Sequence, residues 1–173
     1  FVFLNVANLS EVKNQELLVR AFKFVTSPEK MLLIIGEGDQ RYILERLIKS
    51  EGLSDQVKLL GRRTDVENFY NIANCFVLSS LSESLPVTIV EAGKNGLSVI
   101  APNTGGIPEL IPDGYADRAL FDVGDVNQLI KLLNRALDKS SNDDYSSAMK
   151  EHISQLFNND EIMHDIIKLY QRR

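Results

Sequence analysis

The residues best suited to chemistry surround Pro86, where a polar loop leads into a helical pattern. Pro86 suits the first position of a helix, because the N–H that it lacks would stay unpaired there. The free N–H groups of Val87 and Thr88 then point outward at the positive end of the helix dipole, which favours a phosphate. Glu91, about one turn further along, can accept hydrogen bonds from the vicinal hydroxyls of a ribose. Glu83 stands before the helix, on the opposite side of the predicted phosphate position.

Lys13 is a candidate cation at a second loop, where a strand pattern runs into a helical one. A positive charge at a helix N-terminus is unfavourable, since anions are preferred there. An anionic ligand shared between the ammonium and the helix dipole would remove this conflict. Lys13 is therefore predicted to contact a phosphate, and an ordinary solvated lysine is the alternative.

Glycines and an arginine follow two further strand patterns. Gly36 and Gly38 invite comparison with a dinucleotide-binding loop, but Arg41 occupies the position of the third glycine. These glycines therefore predict only a tight backbone turn beside a ligand. Arg62 follows Gly61 at the end of another strand pattern, where it can border a nucleotide or remain solvated.

The remaining candidates point away from hydrolysis and metal chemistry. Gly105 and Gly106 precede a short helical pattern and allow the backbone to approach a ligand closely. His152 and His164 lie far along the chain from every loop above, so we expect both to be structural or exposed. No His stands near the serines around position 80, and the chain has no nucleophile-elbow or phosphate-loop motif. Cys75 is the single cysteine, and no Cys/His cluster has the spacing of zinc ligands.

A regular alternation of strand and helix patterns places these loops. Continuous apolar runs, typical of strands covered on both faces, occur at residues 1–7, 31–36, 57–60, 75–79, 98–101 and 119–121. Between them apolar residues recur at helical spacing, and after the polar stretch 140–144 only helical patterns follow. The chain is thus predicted to be a doubly wound, Rossmann-like α/β domain, with a parallel sheet of about six strands, helices on both faces and terminal helices. Such sheets bind ligands beyond the carboxyl ends of their strands, where the candidate residues stand.

Length and composition limit the class of protein. The chain has 173 residues, 44% of them hydrophobic and 25% charged, which suits one globular domain and excludes disorder. The net charge of −5 argues against a nucleic-acid binder. Apolar runs of about five residues are far shorter than the ~20 that cross a bilayer, so we expect no transmembrane segment. With one cysteine and no signal peptide, the expected compartment is the cytoplasm. The chain begins within a strand pattern, which predicts a piece of a longer protein.

Six motifs together resemble the C-terminal half of family 4 glycosyltransferases of GT-B fold. Their order and spacing are those of the family, and each alone is weak, whereas six together are specific. The motifs are Asn8-Leu9 with Lys13-Asn14, Gly36-Glu37-Gly38, Leu60-Gly61-Arg62, Glu83 with Glu91-Ala92, residues 96–101, and Gly105-Gly106-Ile107-Pro108-Glu109.

The resemblance implies a site for a nucleotide-diphosphate sugar, which is a substrate, with no cofactor and no metal. By this resemblance Lys13 contacts the diphosphate, Glu91 holds the ribose, and Glu83 is the catalytic residue near the anomeric carbon in a retaining transfer. Backbone amides at the helix start would grip the diphosphate, and loops after two strands would flank the base. The further binding residues implied are Asn8, Gly36, Gly61, Arg62, Ser84, Leu85, Pro86, Val87, Thr88, Gly105 and Gly106.

Departures from the family pattern bear on donor binding. Many members carry an Arg where this chain has Asn8, and Arg62 is a candidate replacement for the lost diphosphate contact. Ser98 stands where Pro is usual, and residues 115–118 replace a glycine-containing stretch. The N-terminal half, which binds the acceptor in this family, is absent from the chain. We therefore expect the chain alone to bind nucleotide and to turn over little or nothing.

The resemblance favours a sugar transferase of polysaccharide or glycoconjugate biosynthesis, and it allows the full-length enzyme a peripheral place at the inner face of the membrane. Two alternatives stay open. A sugar-nucleotide epimerase of GT-B fold would act on a diphosphate sugar without any acceptor. A non-catalytic nucleotide-binding module would keep the fold alone, and Asn8 is the one feature that favours it.

Overall fold

The structure, a computed structural model, describes residues 1–158 and contains a six-stranded parallel sheet. The strands are β1 (Val2–Val6), β2 (Met31–Ile35), β3 (Val57–Gly61), β4 (Cys75–Val77), β5 (Ser98–Pro102) and β6 (Leu120–Phe121). They are ordered β3-β2-β1-β4-β5-β6, and every neighbouring pair is parallel. The chain direction across the sheet reverses between β1 and β4, which is the switch point where such sheets bind ligands. The predicted strands and doubly wound fold are confirmed.

Helices connect successive strands. They are α1 (Gln15–Phe22), α2 (Arg41–Ser50), α3 (Val66–Ile72), α4 (Val87–Lys94), α5 (Ala116–Ala119), α6 (Val126–Arg135) and α7 (Lys139–Leu156), with single 3-10 turns at Glu11–Lys13 and Pro108–Leu110. The polar stretch 140–144 does not precede the closing helix but forms part of its first turns. Most of its polar residues are at exposed positions of α7, while Asn142 and Tyr145 face the core. The last predicted helical pattern, with His164, lies outside the described residues.

Successive strand residues pack into two different hydrophobic cores, one on each face of the sheet. Phe3 of β1 joins the core formed with α1, α2 and α6, whereas its neighbour Leu4 joins the core formed with α3, α4 and α7. Val77 and Phe76 of β4 divide in the same way. All four side chains are fully buried. This division explains why the strands read as continuous apolar runs rather than alternating ones.

A glycine on α4 allows the long closing helix α7 to pack closely. A Cβ at Gly93 would lie 2.6 Å from Cγ1 of Ile153, which is fully buried on α7. Helix α7 has 18 residues, but polar residues cover much of it. Across residues 1–158 no helix combines the length and apolar character needed to cross a membrane.

Candidate functional site

A cavity of about 510 Å³ opens at the carboxyl ends of β1, β2 and β4. Its size falls in the range of small-molecule sites. The predicted site residues that line it are Asn8, Lys13, Gly36, Arg62, Glu83, Pro86, Val87 and Thr88. Residues from four separate loops therefore meet at the switch point of the sheet, as the alternation of elements predicts. We call this space the main cavity.

Helix α4 presents its first amides to the main cavity. Pro86 has extended backbone angles (φ −73°, ψ 108°), and its carbonyl accepts the N–H of Ile89 at 3.0 Å. Pro86 is therefore the N-cap, and the helix begins at Val87, one residue later than predicted. The N–H groups of Val87 and Thr88 belong to the first turn, whose amides have no partner within the helix. They lie at the positive end of the helix dipole, so this wall favours an anion.

Lys13 and Glu83 form an ion pair in the wall of the main cavity. The Lys13 ammonium lies 2.6 Å from Oε1 of Glu83, and the Ser80 hydroxyl donates to the same oxygen at 2.7 Å. The two side chains are 27% and 9% exposed, respectively. The pair therefore fixes both groups beside the amides of α4. It also gives Lys13 a negative partner at the helix start, where a phosphate alone was predicted.

Backbone contacts hold the same two loops together. The Ser79 hydroxyl donates to the Lys13 carbonyl at 3.0 Å, and the Leu81 N–H donates to the Val12 carbonyl at 2.8 Å. Ser79 is buried, so this contact is shielded from water. The loop after β1 is thus docked on the loop after β4, which positions Lys13 opposite Glu83.

Gly105 and Gly106 approach the Glu83 loop and do not line the main cavity. Gly105 has a φ of +55°, and a Cβ there would lie 1.8 Å from the Glu83 carbonyl oxygen. The Gly106 N–H donates to the Ser84 carbonyl at 2.7 Å. The close approach predicted for this pair is therefore made to the protein backbone. Ser84 and Leu85 are exposed and also lie outside the lining of the main cavity.

The glycines after β2 pack against the loop after β1. A Cβ at Gly36 (φ +146°) would lie 1.9 Å from the Ala7 carbonyl oxygen, and one at Gly38 would lie 2.1 Å from that of Leu9. Gly36 lines the main cavity, and its N–H donates to the Gly61 carbonyl at 2.9 Å. Neighbouring backbones occupy the space that a side chain would need, so Gly36 and Gly38 have no room for a Cβ. The tight turn predicted here is present.

Glu91 lies outside the lining of the main cavity, in a neighbouring depression of about 280 Å³ that we call the side depression. Its lining residues are Val66, Glu67, Tyr70, Glu91, Lys94 and Asn95. Val66 also lines the main cavity, so the two spaces adjoin. The Tyr70 hydroxyl donates to Oε2 of Glu91 at 2.8 Å. The sequence does not single out Tyr70, because its place in a helical pattern of apolar residues predicts burial and nothing more.

Burial raises the pKa of the Tyr70 phenol well above its usual value, and the hydrogen bond to Glu91 and the charge of that carboxylate raise it further. The phenol therefore stays protonated and remains a hydrogen-bond donor at physiological pH. Only 4% of Tyr70 is exposed. Its contact with Glu91 thus joins a buried donor to an exposed carboxylate.

Two adjacent arginines of the main cavity differ in their partners. Arg63 donates two hydrogen bonds to the Asp65 carboxylate, both at 2.8 Å, and its guanidinium lies 5.3 Å from the Phe69 ring centroid. The Arg62 side chain is exposed and makes no hydrogen bond or ion pair with any residue of the described part of the chain. Among the three cations that line the main cavity, Arg62 is therefore the one without a partner in residues 1–158, and it is available for an anionic ligand.

The described histidine and the cysteine lie away from this chemistry. His152 lies on α7, and its Nε2 is 3.1 Å from the Glu109 carbonyl oxygen. Cys75 is buried in β4, and this burial raises the pKa of its thiol to about 12. Over residues 1–158 no group of three or more His, Cys, Asp and Glu side chains is arranged to hold a metal ion.

Comparison with known sequences connects this geometry to a family. The family described as Glycosyl transferases group 1 matches residues 1–156. An uncharacterized glycosyltransferase of Methanocaldococcus jannaschii is 41% identical over 117 residues, which are 65% of this chain and 29% of that protein. The UDP-Gal:alpha-D-GlcNAc-diphosphoundecaprenol alpha-1,3-galactosyltransferase of Escherichia coli is 31% identical over 143 residues, 80% of this chain and 37% of that protein. The chain thus spans less than half the length of these curated relatives.

Comparison with solved structures shows that the fold is shared with known proteins. HepE of Anabaena in complex with UDP superposes with a TM-score of 0.89 at 26% identity, covering 100% of this chain and 49% of that one. The HepE complex with UDP-glucose superposes with a TM-score of 0.87, again at 26% identity, over 100% of this chain and 49% of that one. The chain therefore has the fold of about half of such a protein.

Proposed function

Since the chain belongs to the group 1 glycosyl transferases, we propose that it is the C-terminal, donor-binding half of a retaining glycosyltransferase of GT-B fold. The observation that carries this proposal is the meeting of Lys13, Glu83 and the first amides of α4 in one cavity. These groups match a ligand that joins a sugar to a diphosphate. The HepE complexes, which hold UDP and UDP-glucose, support the same class of ligand.

In the proposed complex the diphosphate lies at the N-terminus of α4. The amides of Val87 and Thr88 donate to it, and Lys13 faces it from the loop after β1. Arg62 supplies a further positive charge from the loop after β3, where its side chain has no partner among the described residues. Asn8 lines the same wall without a charge. The diphosphate is therefore held by two cations and one helix dipole.

The base and ribose lie beyond the diphosphate in the proposed complex. The backbone at Gly36, which lines the main cavity, flanks the base. Gly61 lies outside that lining and supports the turn, because its carbonyl accepts the Gly36 N–H. Glu91 accepts from the ribose hydroxyls across the border that Val66 shares between the main cavity and the side depression.

Transfer breaks the bond between the anomeric carbon and the diphosphate oxygen, and the electron pair leaves with the diphosphate. Negative charge grows on the diphosphate and positive charge on the anomeric carbon. Lys13 and the α4 dipole stabilise the first, and the Glu83 carboxylate stabilises the second. The acceptor hydroxyl forms its new bond on the face that the diphosphate leaves and gives its proton to an oxygen of the departing diphosphate, so the configuration is retained.

We further propose that the acceptor binds to the remaining half of the full-length protein, in polysaccharide or glycoconjugate biosynthesis. The chain by itself then binds the donor and transfers little or no sugar. No divalent cation is required in this scheme, because Lys13, Arg62 and the helix N-terminus provide the positive charge that the diphosphate needs.

Thermal shift tests the proposal directly. The chain is heated with UDP, GDP and ADP, and with a sugar conjugate of each nucleotide. A nucleotide at 100 times its dissociation constant stabilises the folded chain by about 2.7 kcal/mol, so the Tm rises by several degrees. Free uridine, guanosine and adenosine are the controls and should shift the Tm much less. If no diphosphate shifts the Tm at millimolar concentration, the main cavity is not a donor site.

A further inference from the structure

Tyr70 joins a buried part of the fold to an exposed acid. Its ring belongs to the core on the α4 side of the sheet and lies 6.1 Å from the Phe76 ring, centroid to centroid. Its hydroxyl reaches the side depression and donates to Oε2 of Glu91 at 2.8 Å. The partners stand on different helices, α3 and α4. The hydrogen bond therefore fixes the Glu91 carboxylate relative to α3.

No other side chain within residues 1–158 holds this carboxylate. Asn95 donates to the Glu91 backbone carbonyl at 2.9 Å, not to its carboxylate. Lys94 and Glu67 also line the side depression, and neither side chain makes a hydrogen bond or ion pair in the described part of the chain. The position of the Glu91 carboxylate therefore depends on Tyr70.

One hydrogen bond leaves most of the carboxylate free for a ligand. An ionised carboxylate has about four lone-pair sites, and the phenol uses one of them. Glutamate otherwise turns about three side-chain bonds, so fixing one oxygen removes conformations that a ligand would have to select. The remaining oxygen can then accept hydrogen bonds from the hydroxyl groups of a ligand that extends out of the main cavity past Val66.

We propose that Tyr70 is a positioning residue that holds the Glu91 carboxylate for the ribose hydroxyls of the nucleotide. In this role it sets the preference of the site for ribonucleotides over deoxyribonucleotides. The inference rests on the proposed function, because it needs a nucleotide in the main cavity. Tyr70 itself does not touch the ligand.

Calorimetry with UDP, 2′-deoxy-UDP and 3′-deoxy-UDP tests this role. The wild-type chain should bind UDP more tightly than at least one deoxy analogue, and E91Q should reduce that preference. Y70F keeps the ring and removes the hydroxyl, so it should reduce the preference about two- to tenfold, the effect of one hydrogen bond. The double variant Y70F/E91Q should show the same preference as E91Q, because both changes act through one carboxylate. E67Q, which removes a charge from the same depression, should leave the preference unchanged.

Three other results would overturn the inference alone, and one would overturn the proposed function with it. Equal weakening of UDP and the deoxy analogues by Y70F would assign Tyr70 to packing alone and overturn the inference. An unchanged preference in E91Q would remove Glu91 from the ribose and the inference with it, while the diphosphate site would stand. Failure of the wild-type chain to bind any nucleotide would overturn the proposed function as well. E91D, which draws the carboxylate back from the phenol and the ribose together without touching the core, should lose the preference as E91Q does. An unchanged preference in E91D would overturn the inference even if Y70F does not fold.

Discussion

The Lys13 ammonium lies 2.6 Å from Oε1 of Glu83, although the two residues are 70 positions apart in the chain. This ion pair places opposite charges where a sugar diphosphate would develop opposite charges during transfer. A diphosphate that binds there meets a cation whose charge is already partly neutralised by Glu83. A second cation is therefore needed to balance the charge of the diphosphate. Arg62 can supply it, so substitutions of Lys13 and of Arg62 should each weaken diphosphate binding.

Substitution of Lys13 by Ala should weaken the binding of a nucleoside diphosphate much more than that of the nucleoside. A charge-assisted hydrogen bond contributes about 1.5–3 kcal/mol, so we expect a loss of about tenfold or more for the diphosphate. Calorimetry with UDP and uridine measures the difference. K49A removes an exposed lysine of α2, far from the main cavity, and should change neither affinity. Equal losses for UDP and uridine in K13A would remove Lys13 from the phosphate.

The two adjacent arginines should respond differently to substitution. Arg62 has no partner in residues 1–158, whereas Arg63 is bound to Asp65 by two hydrogen bonds of 2.8 Å. R62A should therefore weaken UDP binding by about tenfold, the loss of one charge-assisted contact, and R63A should weaken it less. Calorimetry at two salt concentrations gives the test, since loss of a phosphate contact also lowers the salt dependence. A larger effect of R63A would reverse the assignment.

The elements could be predicted from the sequence more fully than the contacts of the site. The apolar runs identify all six strands because burial on both faces leaves a continuous pattern. The same reasoning brings Lys13 and Pro86 to one end of the sheet, since every strand of a parallel sheet ends there. The ion pair of Lys13 with Glu83 depends on how two loops dock, and no local pattern encodes that. For the same reason Tyr70 reads as a core residue, and its bond to Glu91 is visible only in three dimensions.

Substitution of Gly105 by Ala should disturb the site through the backbone of Glu83. A Cβ at Gly105 would lie 1.8 Å from the Glu83 carbonyl oxygen, so the Glu83 loop must move. G124A is a matched control, because Gly124 has a φ of +82° and no atom within 4 Å of the added Cβ. Both variants should lose about 1 kcal/mol of stability to backbone strain. G105A alone should also bind UDP more weakly, and equal UDP affinities in the two variants would contradict this.

Removal of divalent cations should leave nucleotide binding unchanged. The proposed site balances the diphosphate with Lys13, Arg62 and the amides of α4, which do not depend on a metal. We expect the same UDP affinity with EDTA and with millimolar Mg²⁺, measured by calorimetry in one buffer. A gain of tenfold or more with Mg²⁺ would show that the cations of the chain do not suffice.

Cys75 provides a test of the core that is independent of any ligand. Burial raises the pKa of its thiol from an ordinary value of 9.0 to about 12. Below pH 9 the thiol is protonated in both the folded and the unfolded chain, so its full contribution to stability is present. Between pH 9 and pH 12 the unfolded chain loses this proton and the folded chain keeps it, so the free energy of unfolding falls as the pH rises.

Urea unfolding at pH 8 and pH 10 measures this effect in the wild-type chain and in C75A. The buried tyrosines are present in both proteins, so the comparison removes most of their contribution, apart from the effect of the Cys75 charge on the pKa of Tyr145. The wild-type chain should lose about 1 kcal/mol more than C75A between the two pH values. A thiol-specific reagent at pH 8 should label Cys75 in urea and not in the folded chain, because the thiolate is the reactive form. Rapid labelling of the folded chain, together with parallel pH dependences for the two proteins, would mean that Cys75 is not buried in β4.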